Sequence, residues 1–118
     1  MKVLLDHNLP KQLRLQFTGH LVFTARQMRW DAIANGDLIA AAEAAAFDVL
    51  ITSDQRMFYQ QNNAKRRIGI VLLTNGVMAN LLPVMSAITA AIDRTSAGSY
   101  ERVEIPLPRK QRRGTSSV

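Results

Sequence analysis

Three carboxylates in this chain fall where a parallel α/β sheet gathers its ligands. Asp6 follows the apolar run Lys2 to Leu5. Asp54 follows Val49-Leu50-Ile51 by way of Thr52-Ser53, and Asp37 opens the Ala-rich stretch that leads into that second run. Ligands of open parallel sheets bind beside the carboxyl ends of the strands. Asp6 and Asp54 each lie just past a strand, so both face one edge. A helix leading into a parallel strand starts at that same edge, which adds Asp37. Hard divalent cations favour such oxygen donors, and Mg²⁺ is typically held by one or two carboxylates, waters and substrate phosphate. Metal-activated water attacking a phosphodiester is the corresponding reaction.

Taken singly, each acid has a plainer role. Asp37 suits the positive end of a helix dipole, Asp54 could cap the next turn, and Asp6 could brace the turn Asn8-Leu9-Pro10. Their coincidence on one edge is what points to a site. Asn8, Thr52 and Ser53 are the supporting residues, the two hydroxyls orienting Asp54 by hydrogen bonding. Asp48 precedes its strand and belongs to the opposite edge. Asp31 is left outside the site, and Glu43, deeper on the helix, reads as a solvated charge.

Other chemistries find little support. His7 and His20 are too few and too far apart for a zinc motif, and His7 reads as a turn residue beside Asp6. Ser53 lacks the glycines of a nucleophile elbow. The glycines are scattered and form no phosphate-binding fingerprint. Trp30, Phe58 and Tyr59 could stack on bases, although core packing explains Phe58 equally well.

The elements that must position these residues follow from periodicity. Strands are expected at Lys2–Leu5, His20–Thr24, Val49–Ile51, Ile68–Leu73 and Tyr100–Ile105, the last at an edge. A helix is expected after Pro10 with Leu13 and Phe17 on one face, ended by Gly19. A short helix through Arg26-Gln27-Met28 comes next, then a helix starting near Gly36 or Asp37. A long helix runs Met78–Asp93, with Pro83 in its early turns. Alternating strands and helices give an α/β fold, a three-layer α/β/α arrangement around a mostly parallel sheet of four to five strands.

At 118 residues the chain is one domain, here 1–106, followed by a basic, disordered tail at 107–118. No apolar run is long enough to span a membrane. The absence of cysteine excludes disulfides and thiolate chemistry and fits a cytoplasmic protein. A formal charge of +6 makes a polyanion such as RNA a candidate partner. Lys11, Arg56 and the run Lys65-Arg66-Arg67 are the candidate backbone contacts.

VLLDHNLP, followed by NGDLIAAAEAAAFDVLITSDQRMF, resembles the PIN-domain nuclease superfamily, closest to its compact bacterial PIN-like branch. There a first strand ends in Asp, and an Asp-x-x-Ile-Ala-type helix leads into a strand ending Thr-x-Asp. The resemblance covers roughly residues 1 to 75 and assigns Asp6, Asp37 and Asp54 as catalytic, metal-holding residues. It implies an endoribonuclease using Mg²⁺ or Mn²⁺, commonly the toxin of a toxin–antitoxin pair, with an antitoxin partner and a homodimer. The family's additional helix glutamate has no clear counterpart here, and the Gln60-Gln61-Asn62 stretch departs from the toxin pattern. A catalytically weak module that binds nucleic acid or a protein is the alternative.

Overall fold

A computed structural model describes residues 1–57 and 66–108. Phe58, Tyr59, Lys65 and the basic cluster from Arg109 onward lie outside the described residues.

Five strands form one all-parallel sheet: β1 (Lys2–Leu5), β2 (Leu21–Thr24), β3 (Val49–Thr52), β4 (Gly69–Leu73) and β5 (Tyr100–Val103). Their spatial order is β2-β1-β3-β4-β5. The register sets Leu5 beside Ile51 and Ile51 beside Val71. Every residue of β3 and β4 is buried, as uninterrupted Val/Ile/Leu runs require when both sheet faces are covered.

Alternate residues build two separate cores. Val3, Leu5, Val49, Ile51, Val71 and Leu73 pack with Leu13, Phe17, Leu81, Ile88 and Ile92. On the other face Leu4, Leu50 and Ile70 pack with Leu38, Ile39 and Ala42 of α1 (Asn35–Ala44). Each such side chain contributes about 1.5–3 kcal/mol when fully buried. The expected α/β layering is therefore observed, with β5 at an edge and its flank Val103 and Ile105 buried.

Three local expectations are revised. The segment after Pro10 is a 3-10 helix, Lys11–Gln16, ending in an extended Phe17. Two short 3-10 turns gain little from α-helical nucleation, and burial of Leu13 anchors them instead. Gly19 keeps a left-handed φ of 84°, in the turn before β2 rather than at the helix end. Residues 25–29 form turns and no helix. Arg29 has a φ of 63°, which a right-handed helix cannot contain, and the Trp30 N–H donates to the Ala25 carbonyl instead.

Pro83 divides the long C-terminal helix. It lacks an N–H, and the chain runs as α2 (Met78–Leu81), a 3-10 turn (Leu82–Val84) and α3 (Met85–Asp93). Leu81, Ile88 and Ile92 are fully buried against the sheet, whereas Leu82 is exposed. Among the described residues no helix is long and apolar enough to cross a membrane.

Candidate functional site

The strand order reverses between β1 and β3: β1 connects outward to β2, and β3 outward to β4. Such a reversal leaves a crevice at the carboxyl ends of the two strands. Asp6 and Thr52 meet there.

Asp6 is only 1% exposed. Its backbone N–H extends the ladder to the Ile51 carbonyl at 2.9 Å, and its own carbonyl accepts the Leu9 N–H at 3.0 Å. That closes the tight turn the Asp-His-Asn-Leu-Pro run calls for. Carboxylate Oδ2 accepts the Thr52 hydroxyl at 2.7 Å. Oδ1 accepts the His7 backbone N–H at 2.8 Å and lies 3.0 Å from His7 Nδ1. A buried carboxylate needs such donors, because an uncompensated one is heavily penalised.

Thr52 is the hub of the site. While donating to Asp6, its oxygen accepts the Asp54 backbone N–H at 3.1 Å and Asn8 Nδ2 at 3.3 Å. Asn8 Oδ1 in turn accepts the Ser53 N–H at 3.2 Å. The Thr52 hydroxyl thus reaches the Asp6 carboxylate and the Asp54 backbone N–H, and Ser53 joins through its own N–H.

Gly76, just past β4, backs this turn. A methyl group there would lie 3.2 Å from the Asn8 carbonyl oxygen, 2.8 Å from Ser53 Oγ and 3.3 Å from Ser53 Cβ. Gly76→Ala is expected to push the Asn8–Ser53 pair apart and to cost about 1 kcal/mol. A melting curve showing no loss of stability would count against this close backing.

Asp54 is largely covered, its side chain 14% exposed, and its carboxylate is gripped by Arg56. Arg56 Nε lies 3.0 Å from Oδ1, its Nη2 lies 2.8 Å from Oδ2, and its backbone N–H donates to Oδ1 at 2.9 Å. These bonds and the Asp54 charge raise the Arg56 pKa, with a smaller contribution from the Asp6 charge. Arg56 is therefore paired with Asp54 in this structure rather than standing free for a nucleic-acid backbone.

Asp37 is an exposed acid in the first turn of α1, whose N-cap makes no side-chain hydrogen bond. No group of three or more His, Asp or Glu side chains among the described residues is placed to hold a metal ion. The expected three-acid cluster is thus not assembled, and Asp37 occupies the position that a helix dipole favours.

The basic run before β4 also reads differently in three dimensions. Preceding their strand, Arg66 and Arg67 lie at the amino edge of the sheet, opposite Asp6. Arg66 is 8% exposed and donates to the carbonyls of Ile68, Ser99 and Gly98 at 2.8, 2.9 and 3.0 Å. Burial lowers its pKa. Its guanidinium is committed to the fold, while Arg67 remains exposed. Glu43 is not simply solvated: its carboxylate accepts the backbone N–H groups of Arg67 and Ile68. Trp30 packs edge-on against Phe47, centroids 6.0 Å apart, as part of a core flank.

The sequence did not single out Arg26. With Asp6, His7, Leu9, Lys11 and Thr24 it lines a recess of about 180 Å³ beside β1 and β2. Its only sequence signal was a position shortly after a strand end, in a stretch expected to be helical.

Fold and site together define an α/β domain with a buried carboxylate at the switch point of a parallel sheet. Comparison with protein-family models, curated proteins and solved structures gave no match.

Proposed function

We propose that the chain is a PIN-like, divalent-cation-dependent endoribonuclease, acting as the toxin of a toxin–antitoxin pair in the cytoplasm. The observation that carries this reading is the Asp6–Thr52–Asp54 linkage at the strand-order reversal. The donor set suits Mg²⁺ or Mn²⁺ as a two-carboxylate site, Asp6 and Asp54, completed by water and substrate oxygens. A cation held there would supply Lewis-acid activation of water for phosphodiester hydrolysis. The chain's own residues do the positioning: Thr52 fixes the Asp6 carboxylate, and the Asn8–Ser53 bond fixes the turn that carries Asp54. Arg56 must release at least one Asp54 oxygen for both carboxylates to serve. Asp37 receives no ligand role. An antitoxin and a homodimer belong to the same proposal through the family resemblance.

A second reading has one observation in its favour. The bidentate Arg56 clamp places a side-chain cation on the oxygens a metal would use. A nucleic-acid- or protein-binding module without catalysis would keep that clamp closed.

The two separate in an RNA cleavage assay with Mg²⁺ or Mn²⁺, run beside EDTA and Asp54→Asn, with Mn²⁺ calorimetry on the same preparations. The nuclease reading expects cation-dependent cleavage and heat of binding, both lost in the variant. Equal cleavage by the parent and Asp54→Asn sinks the assigned site. No Mn²⁺ binding with RNA present favours the module.

A further inference from the structure

We propose that the recess beside Asp6 is a subsite for single-stranded RNA, with Lys11 and Arg26 holding a backbone phosphate and His7 reading the ribose. This rests on the nuclease reading, since it places RNA beside the Asp6–Asp54 pair.

The recess lies at the carboxyl edge between β1 and β2, with Asp6 at one side and Leu9 as an apolar patch. At about 180 Å³ it is smaller than pockets that enclose whole ligands, roughly 300 Å³ and above. It fits one phosphate and part of a sugar, as a site along a strand would. Lys11 and Arg26 are both exposed, and among the described residues neither makes an ion pair or side-chain hydrogen bond. Arg56, Arg94 and Arg102 are paired with Asp54, Glu101 and Glu104, whereas Arg14, Arg29 and Arg67 are exposed like Lys11 and Arg26, which the shared recess sets apart. Two exposed basic residues lining one hollow are suited to a phosphodiester.

The loop that carries Arg26 is built firmly. Thr24 and Gln27 bond reciprocally, the Thr24 N–H to Gln27 Oε1 at 2.8 Å and the Gln27 N–H to Thr24 Oγ at 3.0 Å. The Ala25 N–H joins the Leu5 carbonyl at 2.8 Å, and the Arg29 N–H closes on the Arg26 carbonyl at 3.0 Å. The Arg26 backbone is therefore held in place.

Asp6 is the one acid lining the recess, against two cations, so the balance favours an anion. Its carboxylate also orients the His7 ring: Oδ1 lies 3.0 Å from Nδ1, which leaves Nε2 as the ring nitrogen turned away from Asp6. The His7 side chain is half exposed. A ring nitrogen at the mouth of a phosphate-sized hollow can share a hydrogen bond with a ribose 2′-OH, which both donates and accepts and separates RNA from DNA.

The test is fluorescence anisotropy with a short labelled RNA and the DNA of the same sequence, titrated in EDTA across a salt series. Each phosphate contact on a single strand contributes about 0.7 to the salt slope, which is roughly fourfold in affinity at about 0.15 M salt. Lys11→Gln and Arg26→Gln should each lower slope and affinity, and the double variant, which gives up the one phosphate contact, should lose about 0.7 of slope and roughly fourfold in affinity. Arg102→Gln, at the far margin of the sheet, should change neither. His7→Phe should erase the parent's preference for RNA over DNA while keeping its salt slope.

Equal weakening by Arg102→Gln would mean diffuse charge and no subsite, and unchanged binding in the Lys11 and Arg26 variants would equally overturn the proposal. So would inorganic phosphate binding through Lys11 and Arg26 while RNA binding ignores them. Because the assay contains EDTA, the subsite stands or falls apart from catalysis. A protein that never cleaves RNA, yet loses salt slope in these variants, refutes the nuclease reading alone.

Discussion

On the nuclease proposal, Asp6→Asn is expected to abolish cation-dependent RNA cleavage while weakening the fold. Removing a partner that merely orients a ligand typically costs 10- to 100-fold, so losing a ligand carboxylate should cost at least about 100-fold. The structural part follows from the Thr52 hub. Thr52 Oγ now donates to Asp6 and accepts from the Asp54 N–H and from Asn8 Nδ2. In Asp6→Asn, the amide oxygen would stay on the His7 side to accept its N–H, which turns the new NH₂ toward Thr52. The hydroxyl oxygen, with two acceptor sites, would then face three donors. One of them must be displaced, and Asn8 Nδ2, the longest of these contacts and on an exposed residue, can turn to water, at about 1 kcal/mol.

Thr52→Val separates these two effects. It keeps both carboxylates but removes the hydroxyl, so it should retain part of the cation binding that Asp6→Asn loses. Calorimetry with Mn²⁺ beside thermal melts of the parent and both variants measures this directly. If folded Asp6→Asn cleaves RNA at the parent's rate, Asp6 has no place in the chemistry.

The burial of Asp6 also explains what could be read from sequence. Parallel strands with hydrophobic runs were legible because β3 and β4 need apolar residues on both faces. Once strands alternate with helices, chain direction places the residues after β1 and β3 on one edge. Edge does not fix distance, however. Asp37 shares that side by topology, yet it is an exposed first-turn acid outside any metal-sized cluster. Side-chain commitments were equally out of reach. Arg66 and Lys11 look alike in a basic sequence, but one is buried on three carbonyls and the other is exposed. Arg26 was hidden because its segment was expected to be helical, and the left-handed Arg29 that prevents this carries no glycine signal. Pro83 was visible, but only the structure shows that it splits the helix rather than being absorbed in its first turn.

Arg66 supports the largest expected loss of stability. Its guanidinium joins the segment before β4 to the segment before β5, donating to Ile68 on one side and to Gly98 and Ser99 on the other. Gly98 completes the joint. Its N–H donates to the Arg67 carbonyl at 2.9 Å, its φ is 74°, and a Cβ there would lie 2.9 Å from the Arg66 carbonyl oxygen. The sheet margin is therefore registered by one side chain and one backbone crossing.

Arg66→Met preserves much of the aliphatic stem but takes the charged donor from three carbonyls, of which that of Ser99 keeps the Ile70 N–H. Hydrogen bonds to a charged group contribute about 1.5–3 kcal/mol each, but loss of this buried cation also removes its desolvation cost. A net loss of about 3 kcal/mol is expected, which for a domain of this size lowers Tm by roughly 10 °C. Hydrogen exchange at Ile70, whose N–H donates to the Ser99 carbonyl, should accelerate in the same variant. Because Arg66 lies at the amino edge, the salt slope of RNA binding should stay at the parent value. A stable Arg66→Met that binds RNA with one fewer salt-dependent contact would reverse the assignment, making Arg66 a nucleic-acid contact and its carbonyl bonds incidental.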